Sequence, residues 1–266
     1  MKIQIAIPSY RRPAVCKART VETLVKLGCK KDDMTIFVAN EAEKEAYEKH
    51  GIGVELVVGV EGLINQRIWY NHYFDSGTPI LNCDDDVYDL QSVDVNGNLV
   101  SYTHGLDAVV EHAIEVCNAT KMRLWGICPY ANGFYMQPYT TVGLKYICGI
   151  FHGSFAGDPV LCGKDRVRVS SGEDFETTIR SYKSHGGVVR LDWLCPVTKY
   201  FAAGGMQEEL GGSNEARQVE HEKELIAISE RHKGFATLYK KAGGVTNLKL
   251  KRMKSLKIPA PIELLL

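Results

Sequence analysis

Pro79-Ile80-Leu81-Asn82-Cys83-Asp84-Asp85-Asp86 is the stretch on which the reading of this chain turns. Its first five residues are nearly all apolar, the pattern of a strand buried on both faces, and three acids follow at once. Adjacent carboxylates repel one another, so a buried strand that ends in three of them needs solvent or a cation there. Hard oxygen ligands select Mg²⁺ or Mn²⁺, ions commonly held by one or two carboxylates together with a substrate's phosphates. The plain alternative is a solvated acidic turn. The strand ends of an α/β sheet are where such folds bind ligands, which favours the metal.

The surroundings supply that α/β context. Lys2 to Ile7 alternates as a strand, Pro8-Ser9-Tyr10-Arg11-Arg12-Pro13 breaks it, and Ala14 to Leu27 has helical spacing with Gly28 as its stop. Met34 to Ala39 and Val54 to Val58 read as strands on either side of a charged helix from Glu41 to Lys49, and a helix from about Ile64 to Phe74 leads into Pro79. This β-α-β-α-β rhythm implies parallel strands joined by right-handed crossovers. Further on, a polar turn surrounds Asn96-Gly97-Asn98. A helix from about Leu106 to Asn118, a strand Arg123 to Cys128 and an irregular aromatic segment from Pro129 to Gly157 follow. Gly172-Glu173-Asp174 opens a helix Phe175 to Lys183 that ends at His185-Gly186-Gly187, and Val188 to Leu191 reads as a strand. A charged helix from Glu215 to Arg231 precedes a basic tail.

The chain has 266 residues, 45% hydrophobic and 24% charged, which excludes a disordered or collagen-like protein. Lys plus Arg (32) equals Asp plus Glu (32), so any contact with a polyanion must use a local patch. No apolar run approaches the ~20 residues of a membrane span. The opening run is also too short for a signal peptide, and the expectation is a soluble, cytoplasmic protein with no membrane and no obligate protein partner. Eight cysteines without a C-x-x-C pair argue against zinc and for reduced, mostly buried thiols.

Four motifs, Ile7-Pro8-Ser9-Tyr10-Arg11-Arg12-Pro13, Gly62-Leu63-Ile64-Asn65-Gln66-Arg67, Ile80 to Asp86 and Gly172-Glu173-Asp174, occur in an order that resembles nucleotide-sugar glycosyltransferases of the GT-A fold. Within that superfamily the P-S-Y-R-R opening and the G-E-D-F-E segment are most similar to the TET-associated glycosyltransferases of phages. The resemblance implies a metal-dependent inverting enzyme that moves a sugar from a UDP-sugar, with Mn²⁺ or Mg²⁺, to 5-hydroxymethylcytosine in DNA, in the host cytoplasm if phage-encoded. It implies an α/β, GT-A (Rossmann-like) fold with a mostly parallel central sheet. The expected organisation is one domain over 1–212, with a nucleotide-sugar half of about 1–90 and an acceptor half of about 91–212, and a C-terminal helix and basic tail over 213–266 packed on it.

Residue by residue, the resemblance places Pro8, Ser9, Tyr10 and Arg12 in the loop that receives the uridine and part of the diphosphate. Tyr10 offers a stacking face and Arg12 a guanidinium for phosphate. Gln66 and Arg67 match the helix that reaches the nucleotide, although Arg67 also reads as a solvated helix arginine. Asn40 stands where many relatives have an Asp that reads the uracil. Asp84 and Asp86 match the ends of a D-x-D motif, Asp86 as the direct metal ligand and Asp84 nearer the ribose or sugar. Asp85 is grouped with the nucleotide-sugar residues, or points elsewhere.

Inverting transfer also needs a carboxylate to deprotonate the acceptor hydroxyl, and the resemblance selects Asp174, with Glu173 as the alternative. An ordinary acidic helix start explains the same pair. His152, His185 and His221 are conceivable additions to a metal shell, or ordinary histidines. Gly149 and Gly153 either let backbone approach a sugar or mark bulges. Gly204-Gly205 and Gly211-Gly212 bracket either a lid or a plain loop. From 240 to 257 the tail carries Lys240, Lys241, Lys249, Lys251, Arg252, Lys254 and Lys257 and no acid, either a solvated surface or the place for DNA phosphates. Trp125, Tyr130, Phe134, Tyr135 and Tyr139 read as an acceptor cleft that stacks a base, or as core.

Overall fold

In the computed structural model, which describes residues 3–163, 172–198, 214–241 and 244–265, the opening rhythm folds as a parallel sheet. β1 (Gln4–Pro8) is followed by a helical segment made of α1 (Pro13–Cys16), one π-helical turn (Lys17–Val21) and α2 (Glu22–Lys26). Gly28 then takes a positive φ of 87°, which a residue with a Cβ rarely adopts, and ends the helix. β2 (Met34–Val38), α3 (Glu41–Lys49), β3 (Glu55–Val58), α4 (Leu63–Tyr73) and β4 (Pro79–Cys83) follow.

The rest of the chain adds β5 (Val87–Val93), β6 (Leu99–Ser101), α5 (Leu106–Thr120), β7 (Leu124–Ile127), β8 (Tyr139–Gly143), β9 (Phe151–Phe155) and α6 (Pro159–Cys162). α7 (Glu173–His185), β10 (Val188–Leu191), β11 (Leu194–Thr198), α8 (Asn214–Arg231), β12 (Ala236–Lys240), β13 (Thr246–Leu250) and β14 (Leu256–Pro259) complete the described elements. The main sheet has nine strands in the order β14-β8-β10-β7-β9-β4-β1-β2-β3. Only β8 and β9 run against the other strands of this sheet, so it is mostly parallel in direction.

Alternation along the strands sorts the core onto two faces. Ile5, Ile7, Ile36 and Leu81 pack with Val21, Leu24 and the apolar side of α5, whereas Ala6, Phe37 and Ile80 pack against Tyr70 of α4. A smaller antiparallel sheet, β11-β5-β6, grows directly from the acidic triplet. The sequence pattern shows only its Asn96-Gly97 turn, between β5 and β6. The C-terminal region also departs from a plain helix and tail: β12 and β13 form a hairpin packed on α7 and α8, and β14 closes the edge of the main sheet on β8.

None of the eight cysteines forms a disulfide, and six of them are buried. Among the described residues no helix is long and apolar enough to cross a membrane. The glycine pairs 204–205 and 211–212, read as a possible lid, lie outside the described residues.

Candidate functional site

The chain leaves β1 towards β2 and β3, then returns to the other side of β1 as β4. The carboxyl ends of β1 and β4 therefore flank a topological switch point, the crevice where open α/β sheets bind ligands. Asp84, Asp85 and Asp86 leave β4 at that crevice, opposite the loop after β1. Thr20, carried by the π-helical turn, fixes the triplet at both ends. Its hydroxyl donates to the Asp84 carbonyl at 2.7 Å and accepts from the Val87 N–H at 3.0 Å.

The three acids have different surroundings. Asp85 turns inward and is 1% exposed; it accepts from the Ser9 hydroxyl at 2.5 Å and from Arg12 Nη2 at 2.5 Å. Ser9 also meets the Tyr47 hydroxyl at 2.6 Å. Burial pushes the Asp85 carboxyl up to about 7, against the pull of Arg12 and Ser9. Of the two readings of Asp85, the structure favours the one in which it points elsewhere than the nucleotide, since its carboxylate is spent on locking the loop after β1. Asp84 pairs with Arg67 Nη2 at 2.7 Å and Asp86 with Arg12 Nη1 at 3.5 Å, and these two carboxylates stay partly open, 26% and 17% exposed. Burial pushes Asp84 up to about 6, with Asp86 adding to the rise and Arg67 opposing it, and burial also raises Asp86.

Two half-open carboxylates whose surroundings resist their charge match a divalent cation, which would stabilise the ionised forms. Among the described residues no three His, Cys, Asp or Glu side chains converge as a complete metal shell. An ion at Asp84 and Asp86 would need further ligands from a bound diphosphate, as hard cations commonly take them.

Of the other residues assigned to the nucleotide, Pro8 is buried at the end of β1 and Tyr10 is half-buried, with the Arg11 guanidinium 4.8 Å from its ring centre. Asn40 caps α3 by accepting from the Glu43 N–H at 3.0 Å. Gln66 is a correction. It is 4% exposed, donates to the Val38 carbonyl at 3.1 Å and accepts from the Val60 N–H at 2.6 Å, which ties the ends of β2 and β3 together.

Arg67 overturns the solvated reading, because it does not face solvent and instead pairs with the acids. At 5% exposure it bridges Asp84 to Glu173, the first residue of α7, and donates to the Gly149 carbonyl at 2.8 Å. Gly149 is required for this, since a Cβ there would stand 2.6 Å from Arg67 Nη1. The second acidic cluster is thereby drawn to the first.

At the start of α7, Gly172 is the N-cap residue, with φ 73° and no side-chain cap, so neither acid fills that role. Glu173 is held by Arg67. Asp174 accepts from the Tyr146 hydroxyl and from the Phe175 N–H, and the Tyr146 ring stacks on Phe175 with centroids 4.4 Å apart. Burial raises the Asp174 carboxyl, with Tyr146 and Arg67 pulling it down. Asp174, Glu173, Gly149 and His152 line one small cleft. His152 Nδ1 lies 3.1 Å from the Gly149 carbonyl, and burial pushes the His221 imidazole of α8 down, with the Asp174 charge opposing it. His185 is bound elsewhere, 3.3 Å from Asp158.

Trp125 is the clearest correction on the acceptor side. It is 1% exposed and packs so closely under β9 that a Cβ on Gly153 would come within 1.9 Å of its ring, so it is core and cannot stack a base. Gly153 serves that packing. Tyr130, Phe134 and Tyr135 are exposed, at 54%, 82% and 60%, and Lys249, Lys251 and Arg252 lie on the surface. Sequence reasoning missed Tyr146 and Thr20. The only available signal for Tyr146 was an aromatic residue within an irregular segment.

No family model and no curated protein matches the chain. Among solved structures it is similar to glucosyl-3-phosphoglycerate synthase from Mycobacterium tuberculosis, with a TM-score of 0.50 and 10% identity over 98% of this chain and 91% of that one. The same synthase solved with Mn²⁺, UDP-glucose and phosphoglyceric acid gives a TM-score of 0.49 at 10% identity, covering 98% of this chain and 90% of that one. The 1–349 fragment of TarS from S. aureus gives 0.48 at 14% identity over 73% of this chain, which spans 60% of that fragment. With seven co-directional strands in a nine-stranded sheet and acids at the β1/β4 switch point, the chain has the GT-A fold.

Proposed function

We propose that this chain is a metal-dependent inverting glycosyltransferase that moves a sugar from a UDP-sugar to the hydroxyl of 5-hydroxymethylcytosine in DNA. The observation that supports the reading is the buried Arg67 bridge, which draws Glu173, and with it the start of α7 that carries Asp174, towards the partly open acids Asp84 and Asp86. Asp84 and Asp86 would hold Mn²⁺ or Mg²⁺, whose role when bound is to neutralise the charge that develops on the departing diphosphate. Tyr10 offers its ring to the uracil, in a loop held still by the Ser9-Arg12-Asp85 contacts. Asp174 takes the proton of the acceptor hydroxyl as that oxygen bonds to the anomeric carbon. The bond from this carbon to the diphosphate breaks on the opposite face, so the configuration inverts. A carboxylate raised by burial is a stronger base than an exposed one, which suits this step near neutral pH. Tyr146 keeps the base oriented.

The exposed aromatics Tyr130, Phe134 and Tyr135 and the surface cations Lys249, Lys251 and Arg252 support a nucleic-acid acceptor, since bases stack on rings and phosphates pair with cations. A glycan or small-molecule acceptor is the second reading, favoured by the burial of Trp125, which takes one ring away from the base-stacking set. Incubation of hydroxymethylated and unmodified DNA with a panel of UDP-sugars and Mn²⁺, read by nucleoside mass spectrometry, tests the proposal. A hexosylated nucleoside from the hydroxymethylated DNA alone is expected, and donor turnover only with non-DNA acceptors would replace it by the second reading.

A further inference from the structure

One row of residues runs across the main sheet from the Asp174 cleft towards its β14 edge. The register sets His152 of β9 opposite Gly126 of β7, Gly126 opposite Arg190 of β10, Arg190 opposite Thr141 of β8, and Thr141 opposite Lys257 of β14. Residues paired in this way share a face of the sheet, so Arg190 and Lys257 stand on the face where His152 lines the cleft with Asp174. Lys145 lies two residues beyond the end of β8, and its neighbour Tyr146 is the residue that donates to Asp174.

Cations gather at the outer part of this row. Lys145 is half-buried, and burial together with the charges of Arg190, Lys257 and Arg252 pushes its ammonium down, with Asp192 opposing them. Asp192 is already shared, because it accepts from Arg190 Nε at 2.5 Å and from the Thr141 hydroxyl. Arg190 is paired with Asp192 and the Lys257 ammonium stands 5.0 Å over the Tyr139 ring, so Asp192 is the one carboxylate named among these four cations. Such crowding is unfavourable without an anion, and a guanidinium fork beside flexible ammonium groups suits the several oxygens of a phosphate.

We infer that Lys145, Arg190, Arg252 and Lys257 form a phosphate-binding subsite that seats a phosphate of the acceptor on the sheet face that carries the Asp174 cleft, two to four strands, or about 10–19 Å, from His152. The inference rests on the reading of Asp174 as the base that faces the acceptor. A phosphodiester of a DNA strand and a phosphomonoester on a small acceptor share the chemistry required, and two probes separate them.

The full-length chain is titrated with inorganic phosphate by calorimetry and with a fluorescein-labelled single-stranded oligodeoxynucleotide by anisotropy at several salt concentrations. The cluster variant Lys145→Gln/Lys257→Gln is compared with the charge-matched control Lys26→Gln/Lys49→Gln, whose lysines are exposed on α2 and α3. The cluster variant should weaken binding of at least one probe about tenfold. For the oligonucleotide, the slope of log K against log salt should fall by about 0.7, the value for one single-strand phosphate that no longer meets its cations, while the control keeps wild-type values. Loss confined to the oligonucleotide identifies the phosphodiester, and loss confined to inorganic phosphate identifies the monoester. Thermal unfolding checks that the cluster variant folds, and Arg252→Gln, a surface change, carries the test if it does not. Wild-type affinity and slope in the cluster variant, or no binding of either probe by the wild type, overturns the subsite. UDP titration of the wild type in Mn²⁺, run in parallel, reports on the donor site independently.

Discussion

Replacing Arg67 by Met keeps much of the volume and removes the charge that joins the two acidic clusters. Three partners lose their donor: Asp84 at 2.7 Å, Glu173, and the Gly149 carbonyl at 2.8 Å. Removing one partner of a buried ion pair costs about 3–5 kcal/mol, because the remaining charge stays desolvated. Two features move the expectation towards the lower figure. Asp84 and Glu173 keep 26% and 14% exposure, so water reaches them in part, and a carboxylate can escape its penalty by taking a proton. Burial already pushes the Asp84 carboxyl up to about 6 against the pull of Arg67, and each unit between that value and the working pH costs only about 1.4 kcal/mol to cross. The expected loss at pH 7.5 is therefore about 3 kcal/mol, or about 6–12 °C in Tm for a chain of this size. At pH 5 Asp84 is protonated with or without Arg67, and the loss should shrink to about half or less. Thermal unfolding of wild type and variant at both pH values is the assay. Wild-type stability at pH 7.5, or an equal loss at both pH values, would refute the bridge. Lys should not rescue, since a single ammonium cannot reproduce a fork that holds two carboxylates and a carbonyl.

Three further outcomes are expected. Asp174→Asn should bind UDP nearly as wild type does and lose about 10²–10⁴-fold in transfer, whereas Glu173→Gln should mainly lower stability, because Glu173 is the Arg67 partner; transfer rates and UDP titrations on both variants decide. In Tyr146→Phe the acid limb of the pH–rate profile should move to higher pH. The hydroxyl holds the Asp174 carboxyl down, and without it protonation reaches the base at a higher pH; an unmoved limb would leave Tyr146 without a role in the base. Gly153→Ala should cost about 3 kcal/mol in urea unfolding, because its Cβ would fall 1.9 Å from the buried Trp125 ring.

The first four strands and the helices between them were legible because each pattern is local: a strand run, a break, a helical period, a stop. The position of the acidic triplet, directly after β4 at the switch point, was legible because it follows from the same pattern. What the sequence hid is non-local. Whether Arg67 meets solvent, nucleotide or carboxylates depends on loop 144–150 and on α7, which lie about a hundred residues away, and no spacing rule links them. Asp85 and Gln66 looked like their site-facing neighbours, and only the inward turn of their side chains separates them. Trp125 was readable as core or as a stacking face, and the packing of Gly153 decides it. The strands β12 and β13 were masked by lysines: charge dominated the reading, although Leu248 and Leu250 alternate with polar residues and pack on α8 and its neighbours. Asn96-Gly97, a strong hairpin signal, could have exposed β5 and β6.

Everything proposed for the donor side depends on Asp84 and Asp86 holding a nucleotide diphosphate through a divalent ion at the β1/β4 crevice. Isothermal titration of UDP in Mn²⁺, with wild type and Asp86→Ala, tests it most directly. The account predicts binding by the wild type that disappears in EDTA and weakens about 100-fold or more in the variant, as expected when a charge interaction worth about 3 kcal/mol is removed. Equal UDP affinity in Mn²⁺, in EDTA and in Asp86→Ala would contradict it.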